Sequence, residues 1–312
     1  MRIGIDIGGM SIKIGLVDEN KNIVAKEVIP TQSDTLSAEH IINNMADAVL
    51  KLLEANHLTI VQCESLGIAC PGTVDSRNGV VLYSNNIEWE DVPMLEMLRK
   101  KLPLPMFLAN DADAAALAEV LAGAAKDKSN AVLVTLGTGV GGGVILNGKI
   151  FSGFLRGGSE LGHTVIKHGG KLCTCGRRGC FECYASATAL MELAQEKALE
   201  YKDSLMNQMA AGSKIDGRII FDAEKAGDIA AKEVVEQYEE DLSVGLVNII
   251  NIFRPEVVIL GGGVSAQGKY LTDVLQEKAE KMCFGASIGE VAKIVTSGLK
   301  NDAGIIGAAY LS

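Results

Sequence analysis

Apolar and polar residues alternate from the second position onward. RIGIDI at 2–7 has period two and predicts a strand; SIKIGLV at 11–17 predicts a second, DENKN a turn, and IVAKEVI at 23–29 a third. The period then lengthens. Ile41, Ile42, Met45, Val49, Leu52 and Leu53 recur every three or four residues, as on the buried face of a helix. SLGIA at 65–69 reads as a short buried strand running into Pro71-Gly72, and MFLA at 106–109 as another running into a helix, DADAAALAEVLAGAA at 111–125. Near the middle the opening pattern starts again. AVLVTLGTGVGGGVILNGKIF at 131–151 repeats the order strand, glycine loop, strand, turn, strand, and so resembles an internal duplication of 3–24. A long helical region over 185–253 follows, then a strand EVVIL at 256–260 that opens into GGGVS, a last strand EVAKIVT at 290–296, and a terminal helix in DAGIIGAAYL with small residues on one face. Alternating strands and helices make this an α/β protein.

At 312 residues the chain is long for one core, so two lobes are expected. No low-complexity linker parts them, and they are expected to pack closely around a cleft. Composition narrows the function. Hydrophobic residues at 48% and charged residues at 22% are a globular balance, and a net charge of −10 disfavours nucleic-acid or anionic-membrane partners. No apolar run has transmembrane length, and Asp6 interrupts the N-terminus too early for a signal peptide. A cytoplasmic protein with reduced thiols is expected.

The 35 glycines cluster, which marks backbone that turns tightly or approaches a ligand. Gly137, Gly139 and Gly142 fit a dinucleotide fingerprint, but the loop opens a strand rather than the helix that fingerprint requires. Gly143 to Lys149 nearly fits a P-loop, but Ile150 stands where a magnesium-binding hydroxyl is needed. The remaining arrangement is two strand–loop–strand hairpins, one per lobe, facing each other and offering backbone N–H groups to a polyphosphate. Asp6, just before Gly8-Gly9, would then hold magnesium directly or through water. Plain hairpin turns are the alternative, which a second similar hairpin and GGGVS make less attractive.

Asn110 and Asp111 sit where a strand meets a helix. Both types favour helix N-caps, as does Asp113; the functional alternative is a general base accepting a hydroxyl proton during phosphoryl transfer. Four of the seven cysteines fall within 173–183. With His163, the thiolates of Cys173, Cys175 and Cys180 would make a closed, structural zinc site, with Cys183 and His168 as rival ligands. The metal would hold Glu160 and Glu182 near His163, whose second ring nitrogen stays free to donate, a set of groups that suits sugar hydroxyls. A simple folding staple with solvated glutamates is the plainer alternative.

Taken together, DIGG (6–9), GIACPGTVD (67–75), NNIEW (85–89), NDADAAALAE (110–119), LGTGVGGG (136–143), GGSELGH (157–163), CTCGRRGCFE (173–182) and ILGGGVS (259–265) resemble the ROK family of sugar kinases and repressors. The resemblance implies an actin-like, ribonuclease H-like ATPase fold, with a smaller lobe over 1–118 and 298–312 and a larger one over 119–297. It implies ATP-dependent phosphorylation of a hexose at the 6-hydroxyl, glucose to glucose 6-phosphate foremost, with Asp111 as base. N-acetylmannosamine, N-acetylglucosamine, fructose and allose are rival substrates. Asn110, Glu160, His163 and Glu182 would bind the sugar, with Gly72 close by. Asp6, Gly8, Gly9, Thr138 and Gly139 would address the ATP phosphates and Mg2+, and Gly262 and Gly263 would lie along the nucleotide. A homo-oligomer, dimer or tetramer, is implied too. The family usually has threonine after DxGG, and here that residue is Met10; phosphate binding would then rest on backbone and Lys13, or be weakened, leaving a non-catalytic sugar sensor. A repressor would need an added N-terminal helix-turn-helix, for which the first strand at Arg2 leaves no room.

Overall fold

The computed structural model describes residues 1–154 and 159–312. In chain order the elements are β1 (Arg2–Ile7), β2 (Ser11–Val17), β3 (Ile23–Pro30), α1 (Ala38–Ala55), β4 (Ser65–Cys70), β5 (Thr73–Asp75), β6 (Val80–Ser84), β7 (Trp89–Val92), α2 (Met94–Arg99), β8 (Met106–Asn110), α3 (Asp111–Ala122), β9 (Ala131–Leu136), β10 (Val140–Leu146) and β11 (Lys149–Ile150). The second half holds α4 (Glu182–Ala185), α5 (Ala187–Glu200), α6 (Leu205–Ala210), α7 (Gly217–Lys225), α8 (Ile229–Phe253), β12 (Val257–Gly261), α9 (Lys269–Met282), β13 (Lys293–Thr296) and α10 (Ala303–Ala309).

The chain forms two compact units. One comprises Met1–Leu133, Gly143–Ser159 and Gly298–Ser312; the other comprises Val134–Gly142 and Glu160–Ser297. The expected division put 119–297 in one lobe; here 119–133 and 143–154 group with the first unit.

In the first unit the sheet order is β3-β2-β1-β4-β8, antiparallel across the opening hairpins and parallel from β1 through β4 to β8. Alternate residues of β1 and β2, Ile3, Ile5, Ile12 and Ile14 among them, meet the apolar face of α1 in the main core. A small three-stranded sheet, β5-β6-β7, and α2 were not foreseen; Trp89 and Val81 from that sheet join the same core.

The other face of the sheet carries glycine at its centre. Gly4 and Gly67 are register partners on adjacent strands. A Cβ on Gly4 would lie 2.0 Å from the carbonyl oxygen of Ile305, and one on Gly67 would lie 1.7 Å from that of Ala308. Helix α10 therefore rests directly on the strands, and Gly307 brings it equally close to α3, where a Cβ would meet Ala114 O at 1.7 Å. The small residues of the terminal stretch are what this approach requires.

Helix α3 stops at Ala122, three residues before the expected end. The reason is Glu119. Its fully buried carboxylate accepts the N–H groups of Ala124 (2.7 Å), Gly298 (3.1 Å) and Leu299 (3.0 Å), which turns the chain at Gly123 and ties it to the segment leading into α10.

In the second unit the expected helical region is broken into α4 to α8, with α8 the longest at 25 residues. The second sheet has the order β11-β10-β9-β12-β13, and the chain crosses between units within β9 and after the start of β10. Among the described residues no helix is long and apolar enough to cross a membrane.

Gly67→Ala forces a methyl group onto a backbone carbonyl, a case of overpacking that cannot relax by a rotamer change, and is expected to cost about 2–3 kcal/mol. Gly217→Ala, at an open position with nothing within 4 Å, is the control and should be neutral or better. Urea midpoints of both variants check this; equal midpoints would mean that α10 does not sit tightly on the sheet. A second expectation concerns Glu239 on α8, which is 7% exposed and whose carboxyl burial pushes up to about 7. The neutral form is favoured in the fold, so its contribution to stability is full below the ordinary carboxylate value of 4.5 and is lost as pH rises through about 7. Glu239→Gln should therefore stabilise at pH 8, by up to about 3 kcal/mol, and not at pH 4.5. Equal effects at the two pH values would refute the burial account.

Candidate active site and metal centre

In the first unit, Asp6 is the next-to-last residue of β1 and faces Lys13 across the β1–β2 register, Nζ to Oδ2 2.9 Å. Lys13 is thus engaged with Asp6 rather than extended toward solvent. Gly8 and Gly9 form the turn, closed by the Gly8 N–H donating to Ser11 O at 2.9 Å, and Met10 stands at its tip, 90% exposed. The apolar side chain there contributes no donor.

Asn110 is the N-cap of α3. Its Oδ1 accepts from the N–H groups of Ala112 (2.9 Å) and Asp113 (3.3 Å), and its Nδ2 donates to Gly72 O at 3.0 Å. One side chain therefore joins the helix start to the turn after β4. Gly72 has φ +95°, and a Cβ there would lie 2.2 Å from Tyr83 O, so only glycine fits. Asp111 follows as the first residue of α3, half-buried. Its charge adds to burial in raising the thiol of Cys70, at the end of β4. The capping role thus falls to Asn110, while Asp113 is buried behind it.

In the second unit, Gly137, Thr138 and Gly139 link β9 to β10, and Thr138 is exposed. Glu182, the first residue of α4, reaches this turn: its Oε2 accepts the Val140 N–H at 2.9 Å and fills the space beside Gly139, where a Cβ would be 2.1 Å away. Its Oε1 lies 3.9 Å from Cys173 Sγ. Gly262, with φ +79°, backs onto Leu136 O, so the GGG loop after β12 lies beside the same end of β9; Gly263 is exposed with open space around it.

His163, Cys173, Cys175 and Cys180 place one donor atom each within 4.8 Å of one another. Cys173 Sγ is 3.6 Å from His163 Nδ1, and Cys175 Sγ is 3.6 Å from Cys180 Sγ. Donors bound tetrahedrally to zinc at their usual bond lengths stand about 3.5–3.8 Å apart, so the four residues fit that ion. Cys183 points instead toward Leu172 O at 3.9 Å, and His168 is exposed; neither joins the group. Burial pushes the Cys173 thiol up, but hydrogen bonds from the Cys175 backbone, Cys175, Cys180 and His163 outweigh it and bring the value down to about 7, while burial and the neighbouring sulfurs push Cys180 up to about 12. The loop's turns are set by Gly176 and Gly179, both at φ +85°. Glu160 is exposed and precedes the short 3-10 turn Leu161–His163. Gly157 and Gly158 of the same motif lie outside the described residues.

Two residues close to the hairpins gave no sign in the sequence. Thr31 donates its hydroxyl to Gly8 O at 2.6 Å, and Thr188 donates its hydroxyl to Thr138 O at 2.8 Å. Each lies far along the chain from its hairpin, and a side-chain bond to a remote carbonyl leaves no pattern to read.

A family model described as "ROK family" matches residues 2–312. A glucokinase from Thermotoga maritima is 37% identical over 311 residues, 99% of this chain and 96% of that one. The crystal structure of a ROK family glucokinase from Streptomyces griseus, in complex with glucose and AMPPNP, has a TM-score of 0.82 at 32% identity, covering 99% of this chain and 97% of that chain. A ROK family transcriptional regulator, a homologue of the Escherichia coli MLC protein, has a TM-score of 0.85 at 27% identity, covering 98% of this chain and 76% of that chain. The fold is the actin-like α/β ATPase fold of these proteins. Matched from its second residue to its last, the chain belongs to the ROK family.

Proposed function

We propose that the protein is an ATP-dependent sugar kinase that phosphorylates glucose at the 6-hydroxyl. The observation that carries this reading is the end-to-end likeness to glucokinases at 37% identity, in a chain that places the half-buried Asp111 as the first residue of α3, where its Oδ1 accepts the Ala112 N–H at 2.9 Å. Asp111 accepts the hydroxyl proton as the alcohol attacks the γ-phosphorus; positioning and charge neutralisation supply the rest of the catalysis. Glu160, His163 and Glu182 bind sugar hydroxyls, and Asn110 and Gly72 hold the turn beside the base. Free N–H groups of the two glycine hairpins receive the ATP phosphates, and Gly262 and Gly263 accompany the nucleotide. Asp6, paired with Lys13, would be the carboxylate that holds a magnesium ion brought with ATP, directly or through water.

His163, Cys173, Cys175 and Cys180 would hold zinc, a closed site that supplies rigidity and no reaction step. With Nδ1 directed at the cluster, the Nε2–H of His163 is left to donate to a sugar oxygen.

ADP release from MgATP with glucose, N-acetylglucosamine, N-acetylmannosamine, fructose, allose and no sugar should show turnover with glucose foremost. Asp111→Asn should keep glucose binding and lose turnover by about 10²–10⁴-fold. Silence of the unaltered protein across the panel, with sugar binding retained, would instead make it a sensor. Cys175→Ser should release zinc in metal analysis and weaken glucose binding; unchanged affinity after zinc loss would show that the cluster does not shape the sugar site.

A further inference from the structure

The two glycine hairpins belong to different units, yet each is gripped in the same way. Thr31, fully buried and 23 residues from Gly8, donates its hydroxyl to the Gly8 carbonyl at 2.6 Å, and its N–H to Met10 O at 3.1 Å. Thr188, 50 residues from Thr138, donates its hydroxyl to the Thr138 carbonyl at 2.8 Å, and the adjacent Ala187 N–H donates to Gly137 O at 2.8 Å. The N–H groups of Gly9, Met10, Thr138 and Gly139 find no partner among the described residues.

A peptide unit is planar and trans, so the carbonyl of one residue and the N–H of the next point in opposite directions. A hydrogen bond that fixes the Gly8 carbonyl therefore aims the Gly9 N–H away from Thr31. Likewise, the grip on the Thr138 carbonyl aims the Gly139 N–H away from Thr188. Glycine at both positions would otherwise let these peptide planes turn freely. We infer that Thr31 and Thr188 are positioning residues, each hydroxyl holding one hairpin peptide so that its opposite N–H is presented to an anionic oligophosphate such as that of ATP. The inference rests on the reading of the hairpins as the phosphate site. It also gives the first hairpin a means of order that does not depend on the side chain at position 10.

The test pairs an isosteric loss with a conservative rescue. Thr31→Val and Thr188→Val should each weaken AMPPNP binding about tenfold, as expected for one hydrogen bond, and together about a hundredfold, since the two share no partner. Thr31→Ser and Thr188→Ser should stay within about threefold of the unaltered protein. The glucose dissociation constant measured without nucleotide should not move, which a general loss of structure would not allow. Thr188 is only partly buried, so its variants report even if Thr31→Val fails to fold. Amide hydrogen exchange separates the two ways of failing. If AMPPNP does not protect 8–10 or 137–139 in the unaltered protein, the hairpins are not the phosphate site and the inference falls with that reading. If protection is present but the valine variants bind AMPPNP as before, or the serine variants fall as far as the valines, the phosphate site stands and the hydroxyl grip is overturned.

Discussion

In the first unit a helix carbonyl occupies the volume where a side chain on Gly67 would be. That close approach decides much else. With Gly4 and Gly67 bare, α10 lies on β1 and β4 at backbone distance, and Gly307 lets α3 lie against α10 in turn. Gly304, near the start of α10, leaves room for the Asp6 carboxylate, which a Cβ would meet at 2.5 Å. The ends of β1, β8 and α3, and with them Asp6, Asn110 and Asp111, are thus spaced by backbone contacts. Such contacts have little freedom to adjust, since no rotamer change can relieve them.

The second unit reaches the same end by different means. Glu182 touches the Gly139 turn with one carboxylate oxygen and lies near Cys173 with the other. A side chain next to the thiol cluster is therefore also part of the hairpin's support. The Val140 N–H is spent on Glu182, which leaves Thr138 and Gly139 as the turn's free donors.

The sequence was most legible where a requirement is local. The hairpins announced themselves through alternation broken by glycine, the Cys/His cluster through cysteines on one short loop, and the cap of α3 through Asn110 beside a strand end. It was least legible where a side chain serves a distant backbone group. Thr31, Thr188 and Glu119 each satisfy carbonyl or N–H groups far away in sequence, and no period or spacing encodes such a partnership. The ion pair of Lys13 with Asp6 was hidden for a related reason: it follows from the register of the two strands, which alternation alone does not specify. Between Asn110 and Asp111 the competition for the cap was open in the sequence. Hydrogen-bond geometry resolved it in favour of Asn110.

The first unit is assembled from three separate stretches, of which Gly298–Ser312 is the last. During synthesis from the N-terminus, its sheet emerges early but must wait, with one face uncovered, while nearly the whole second unit is made. Glu119 waits too, since two of its three backbone partners lie at Gly298 and Leu299. The nascent chain therefore carries an incomplete N-terminal half for most of its elongation. The final segment acts as the closing piece that makes the earlier half whole.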